Sequence, residues 1–298
     1  MIPGIGRIGT WSPLALWGNE PDRGAAAAAE LEELGYGAIW LGNGPTVLDT
    51  VATLLAATHR ITVATGVLNV WAHEAERVAD RFAGLVTAHP DRVLLGLGSG
   101  PRDASQTRSS AYRKMTGYLD ELDALGIPAR QRVLGALGSR TLTLAAARSV
   151  GAHPFLTTPE HTRDARQRLG PGALLAVEQR FVLNADATTA REIARNDLEF
   201  YLPKPGYRRT LQQLGFLEED FVGGGSDRLV DALVAHGEAD VVLARVQAHL
   251  AAGADHVAVQ PLTPDTHLAS ANRMLPREQF RLLAAALPPS PGFTGLMS

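Results

Sequence analysis

Apolar positions along the chain fall into two alternating patterns. Ala75, Val78, Ala79, Phe82, Leu85 and Val86 recur at the three- and four-residue spacing that puts them on one helical face. Short runs rich in branched residues lie between such segments. Ile5 to Trp11, Ala38 to Leu41, Ile61 to Val67 and Val93 to Gly98 read as strands one to four, and Val133 to Leu137, His153 to Thr157, Ala173 to Asn184 and His256 to Gln260 as strands five to eight. Helices are predicted between them at Pro21 to Leu34, Val47 to His59, Tyr112 to Leu125, Thr141 to Val150, from Pro159 to near Gly170, and at Asp240 to Ala252. Arg277 to Leu287 closes the chain. Gly35, Gly126 and Gly170 are the stops, and Pro159 is a start.

Strands alternating with helices argue for βα units and a parallel sheet. Eight such units match a (β/α)8 TIM barrel, with an open doubly wound sheet as the structural alternative. The polar stretch from about 185 to 226 contains one clear helix, Thr188 to Tyr201. It reads as an insertion between strands seven and eight, so residues 1–298 are expected to form one domain.

Composition narrows the chemistry. The 298 residues carry a net charge of −3, which provides no global field for nucleic acid or an anionic membrane. With no cysteine, disulfides, thiolate catalysis and Cys-ligated zinc are excluded. No apolar run is long enough to span a bilayer, and the start of the chain lacks a signal-peptide profile. A cytoplasmic protein is the expectation. The nine histidines show no metal-ligand spacing: His73-Glu74-Ala75-Glu76-Arg77 lacks the second histidine of a zinc helix, and His153 and His161 do not share a face.

In parallel barrels ligands gather at the C-terminal strand ends. That rule nominates Ser12, Asn43, Asn69, Trp71, His73, Ser99, Gly138, Ser139, Thr157, Thr158, Gln179 and Gln260. Nearly all are neutral hydrogen-bonding groups. There is no glycosidase carboxylate pair and no G-x-S-x-G elbow. Such a mouth suits a cofactor that carries the reaction itself. His73 is the acid–base candidate because it follows strand three, and Asn43 is the matching position after strand two.

Two glycine turns have two readings each. Gly96-Leu97-Gly98-Ser99-Gly100 could admit a ring or a phosphate close to the backbone, or could simply form a tight strand exit. Gly135 to Thr141 leads straight into a helix, so its amides with Ser139 and Arg140 form either a phosphate cradle or an ordinary capped turn. The basic residues Arg102, Arg108, Arg113 and Lys114, offset by Asp103, suit either an anionic cofactor tail or a solvated loop. Trp11 and Trp71 could wall a ring pocket, whereas Trp40 sits in an apolar strand and reads as core.

Several passages share one order with a known family. Glu33 to Leu41, Ala64-Thr65-Gly66-Val67, Pro90 to Gly100, Ala136-Leu137-Gly138-Ser139-Arg140 with Leu144-Ala145-Ala146, Gly151 to Thr162, Tyr207-Arg208-Arg209 and Gly253 to Val257 together resemble luciferase-like monooxygenases. Within that family the chain resembles the coenzyme F420-dependent oxidoreductases. The resemblance implies a (β/α)8 barrel with a late insertion, often a homodimer, moving hydride between F420 and a small organic substrate. It implies a non-proline cis peptide at the strand-three exit, with Thr65, Gly66 and Val67 supporting the ring. Gly98 and Ser99 would border it, and Ala136, Leu137, Gly138, Ser139 and Arg140 would hold the phosphate. An FMN-dependent monooxygenase on the same barrel is the alternative, and a barrel that binds such a cofactor without turnover is the alternative of another class. The chain departs from the pattern at Gly42-Asn43-Gly44, at Ser99-Gly100 and at His73-Glu74, which are positions where relatives often handle protons.

Overall fold

The structure is a computed structural model that describes residues 5–18, 21–100, 108–267, 270 and 273–287. Ten strands are present among them: β1 (Ile8–Ser12), β2 (Ala38–Leu41), β3 (Thr62–Thr65), β4 (Leu68–Asn69), β5 (Val93–Gly98), β6 (Arg132–Leu134), β7 (Gly151–Ala152), β8 (Leu174–Leu183), β9 (Val234–Gly237) and β10 (His256–Pro261). The helices are α1 (Pro21–Glu33), α2 (Val47–Ala56), α3 (Ala75–Ala88), α4 (Arg108–Ala124), α5 (Ser139–Arg148), α6 (Pro159–Leu169), α7 (Ala187–Tyr201), α8 (Pro205–Gln213), α9 (Asp227–Leu233), α10 (Ala239–Ala251) and α11 (Arg277–Ala285).

Every strand pairing is parallel. The sheet runs β10-β1-β2-β3-β5-β6-β7-β8, and β8 pairs again with β10, which closes an eight-stranded barrel. The open-sheet alternative is thereby excluded. All strands end on one rim, so the loops after them share a single mouth. Side chains alternate across each strand. The inward set includes Trp11, Ala38, Trp40, Ala64, Leu94, Val133, Ala176 and Ala258, and the outward set packs under the helices.

The barrel floor is held by named polar contacts. The Glu32 carboxylate accepts from the amides of His59, Arg60 and Ile61. Arg92 donates to the Thr58 carbonyl at 2.9 Å and to the Thr58 hydroxyl at 2.6 Å. Asp255 accepts from Arg166 and from the Leu175 amide. The passages around Arg92 and Asp255, both part of the family resemblance, therefore place polar residues at the end of the barrel away from the mouth.

Four sequence expectations change. Strand six is Gly151–Ala152, not His153 to Thr157. Pro154 has no amide to give, and Leu156 adopts a φ of 57°, so the chain leaves the ladder and turns His153 and Phe155 toward the barrel interior. Strand three stops at Thr65, and Leu68–Asn69 pairs separately with β5. The stretch after strand seven holds more than one helix: α8 and α9 follow α7. Strand β9 then pairs with the upper half of β8, outside the barrel ring. These elements enclose their own apolar cluster, from Ala190, Leu198 and Leu211 to Phe221, Leu229 and Val234. No helix among the described residues is long and apolar enough to cross a membrane.

Candidate active site

The mouth is built from the loops after β1, β2, β3, β5 and β6. At the β3 exit the Gly66–Val67 peptide is cis, the position at which the resemblance places such a bond. Gly66 has no room for a side chain, since a Cβ there would lie 2.8 Å from Trp11 Nε1 and 3.1 Å from Trp40 Cβ. Trp11 instead donates its indole N–H to the Gly66 carbonyl at 2.6 Å. Thr65 is buried and donates to the Gly96 carbonyl at 2.7 Å.

Val67 is half-buried and seats one side in a notch between two strands. A Cβ on Gly98 would fall 2.4 Å from Val67 Cγ2, and one on Gly135 would fall 3.3 Å from the same atom. The glycine of the β5 exit thus serves the packing of Val67. Its other side leaves an apolar step on the rim beside Ser99, which is half-exposed.

The two residues nominated for catalysis meet. His73 Nε2 lies 3.3 Å from Asn43 Oδ1, which also accepts from the Asn69 amide at 2.9 Å. Asn69 in turn accepts from the Trp71 amide at 3.0 Å. With Nε2–H donating to Asn43, His73 keeps Nδ1 as an acceptor. Desolvation holds its pKa below the ordinary histidine value. Both His73 and Val47 line a cleft of about 420 Å³ between the starts of α2 and α3. Trp71 is 39% exposed at the same rim, whereas Trp40 is fully buried.

The turn into α5 offers a second kind of surface. Gly138 is the N-cap, and no side chain caps the first turn of this ten-residue helix. A Cβ on Gly138 would meet nothing within 4 Å, so the turn is open on that side. Ser139 and Arg140 are exposed, and the Arg140 guanidinium stacks 3.7 Å from the Tyr112 ring centre. Beneath the turn, His161 donates Nε2–H to the Leu137 carbonyl at 2.9 Å, and Ala136 is buried. Free amides at a helix start attract anions, and Arg140 in the same first turn adds a positive charge.

Other nominated residues have structural places. Ser12 is buried and accepts from Trp17 Nε1 at 2.8 Å. Gln179 faces outward from β8 and accepts from His249, which contacts Thr162 on α6. The Thr158 hydroxyl caps α6 by accepting from the His161 amide. Thr157 is buried, with no described partner for its hydroxyl. His153 stacks on Trp40 with ring centres 4.2 Å apart and donates Nδ1–H to the Ala176 carbonyl, and burial lowers its pKa to about 3. Arg113 is exposed on α4, and Lys114 lies over Tyr118. Arg102 and Asp103, and the Arg108 side chain, lie outside the described residues.

Sequence reasoning missed the barrel axis. Glu178 and Arg180 point inward from β8, fully buried, with Nη1 to Oε2 at 2.8 Å. Arg180 also donates Nε–H to Asp197 of α7 at 2.7 Å and stacks on Phe155 and Tyr201 at 4.4 and 4.7 Å. Trp11, Phe155, Tyr201 and Tyr207 continue as a chain of ring contacts across the top of the axis. The one available signal was two charged residues flanking Gln179 in the middle of a strand whose other residues are apolar.

Residues 7–125 match the luciferase-like monooxygenase family. No curated protein sequence matches the chain. Among solved structures, the fold resembles an F420-dependent secondary alcohol dehydrogenase in complex with an F420–acetone adduct. The TM-score is 0.73 at 12% identity, covering 95% of this chain and 98% of that one. It also resembles the coenzyme F420-dependent tetrahydromethanopterin reductase from Methanopyrus kandleri, with a TM-score of 0.68 at 16% identity over 94% and 98%. A third is the oxygenating constituent of 3,6-diketocamphane monooxygenase from Pseudomonas putida in complex with FMN, at 0.60 and 14% over 93% and 96%.

Proposed function

We propose that this protein is an oxidoreductase that moves hydride between coenzyme F420 and a small organic substrate, working in the cytoplasm as a homodimer. The observation that carries the reading is the uncapped start of α5, with Arg140 beside it, on the same rim as the apolar step of Val67. The residues present fit such a cofactor at both ends: amides and a guanidinium for a phosphate, and an apolar shelf for a flat ring. Gly138, Ser139 and Arg140 would hold the phosphate, with Ala136 and Leu137 forming the backbone under it. Thr65, Gly66 and Val67 would support the ring, and Gly98 and Ser99 would border it. The bound cofactor supplies or accepts the hydride.

What the chain adds is position and shielding. Trp11 holds the Gly66 carbonyl, which fixes the β3 exit on which a ring would rest. His73 and Asn43 form the polar edge of the site, with Nδ1 of His73 free to accept from substrate. Phe155, Tyr201 and Tyr207 form a half-buried layer of rings over the axis.

An FMN monooxygenase would use the same phosphate turn, so the test compares both cofactors. F420 and FMN are titrated side by side against the full chain by fluorescence. Tight F420 binding, with hydride exchange and no oxygen uptake, supports the reading. FMN binding with oxygen consumption supports the monooxygenase. Binding without exchange for any substrate supports a carrier, and binding of neither cofactor overturns the redox assignment.

A further inference from the structure

The polar groups at the mouth are weak acids and bases, yet a charged pair lies one side-chain layer below them. We infer that Glu178 and Arg180 form the oxygen-binding half of the substrate site, with Arg180 holding a carbonyl or hydroxyl oxygen and Glu178 exchanging its proton. This assignment rests on the oxidoreductase reading and places its acid–base residue on β8.

Three observations support it. Glu178 and Arg180 are 1% and 0% exposed, and each keeps one polar atom, Oε1 and Nη2, that no described residue pairs with. A buried charged group with an unmade hydrogen bond is disfavoured, so a polar ligand group there satisfies a standing demand. Gln260 lies beside Arg180 in the strand register and leaves its own Oε1 unpaired, and His153, which precedes Pro154 beside Glu178, leaves Nε2 unpaired. The four atoms belong to β8, β10 and the chain after β7, all on the inner side of the barrel. Finally, Phe155 and Tyr201, on which Arg180 stacks, and Tyr207 beside them are only half-buried, and their ring faces suit the carbon part of a small ketone or secondary alcohol.

Glu178 is held for proton exchange near neutrality. Burial pushes its carboxyl up to about 7, opposed by the Arg180 charge and by the Leu156 amide that Oε2 accepts from. The other groups around it are Asp197 and Tyr201 from α7, Tyr207 from α8, and His153. In the reductive direction F420, when bound, would supply the hydride that the carbonyl carbon gains, and the π pair would move to oxygen. The Glu178 acid gives that oxygen its proton, and the oxidised cofactor and the alcohol leave. The carboxylate regains a proton from solvent. In the oxidative direction the carboxylate takes the hydroxyl proton as hydride departs.

The test uses cyclohexanone and cyclohexanol as probes, with full-length wild-type, E178Q and R180K proteins checked for thermal melting. Difference infrared spectroscopy of the cofactor-free protein should show a buried protonated carboxyl band that shifts on adding cyclohexanone and is missing in E178Q. With reduced F420, E178Q should bind cofactor normally and lose about 100-fold or more in kcat. The wild-type fall in reductive rate above about pH 7 should vanish in E178Q, a change that loss of fold would not produce. R180K should raise the KM for cyclohexanone about tenfold. A carboxyl band that ignores both probes, or an E178Q protein with wild-type kcat and pH profile, overturns the proposal. If wild type binds neither F420 nor FMN, the oxidoreductase reading fails, while the infrared result still decides whether Glu178 meets a ligand.

Discussion

Val67 occupies the space that any side chain at position 98 would need: a Cβ on Gly98 would lie 2.4 Å from Val67 Cγ2. Gly98→Ala should therefore push Val67 toward the mouth. Overpacking of this kind costs about 1–3 kcal/mol. Urea unfolding should show that loss, and cofactor affinity should drop with it because the apolar step moves. Wild-type stability and affinity in this variant would mean that the notch relaxes freely.

Arg140→Ala removes a guanidinium that belongs to the first turn of α5 and stacks on Tyr112. Charge-assisted hydrogen bonds contribute about 1.5–3 kcal/mol, so F420 or FMN should bind about 10- to 100-fold more weakly. The melting temperature should hardly change, since Arg140 is exposed. Isothermal titration of phosphate-free riboflavin should show no dependence on Arg140, and a dependence there would move the anion site elsewhere.

Asn43→Ala takes away the acceptor shared by His73 and the Asn69 amide. Stability should fall by about 1 kcal/mol. Turnover should fall further than cofactor affinity, because the freed His73 ring no longer presents Nδ1 in one direction. Equal losses in both quantities would reassign Asn43 to loop structure alone.

Acid should destabilise the fold from below about pH 6.5. Burial lowers His153 and His249 to about 3 and His256 to about 4, so the folded chain stays neutral where the unfolded chain takes up protons. Each such proton steepens the loss by about 1.4 kcal/mol per pH unit. Glu178 acts in the opposite sense: its raised pKa stabilises below the unfolded value of 4.5, and that contribution is lost as pH rises through about 7. Three histidines outweigh one carboxyl, so the urea midpoint should fall between pH 6.5 and 4.5. A flat midpoint over that range would show that these rings titrate normally.

The alternation of strand and helix was readable in the chain because period and branched-residue runs are local properties. The resemblance located the cis peptide and the α5 turn for a related reason, since both depend on short runs of adjacent residues. The missed features are non-local. Strand six ends early because Pro154 has no amide for its ladder and Leu156 takes a positive φ, and β9 forms only where β8 outruns β7. Likewise, Gly98 reads as ring clearance until Val67 is placed beside it.

The sequence by itself determined a parallel barrel, the rim on which loops gather, and a mouth poor in strong acids and bases. Only the tertiary structure decided that Glu178 and Arg180 face the axis under three aromatic rings, and that His73 meets Asn43. Burial and pairing depend on which strands become neighbours when the barrel closes, and one strand's own residues do not encode the neighbour across from them.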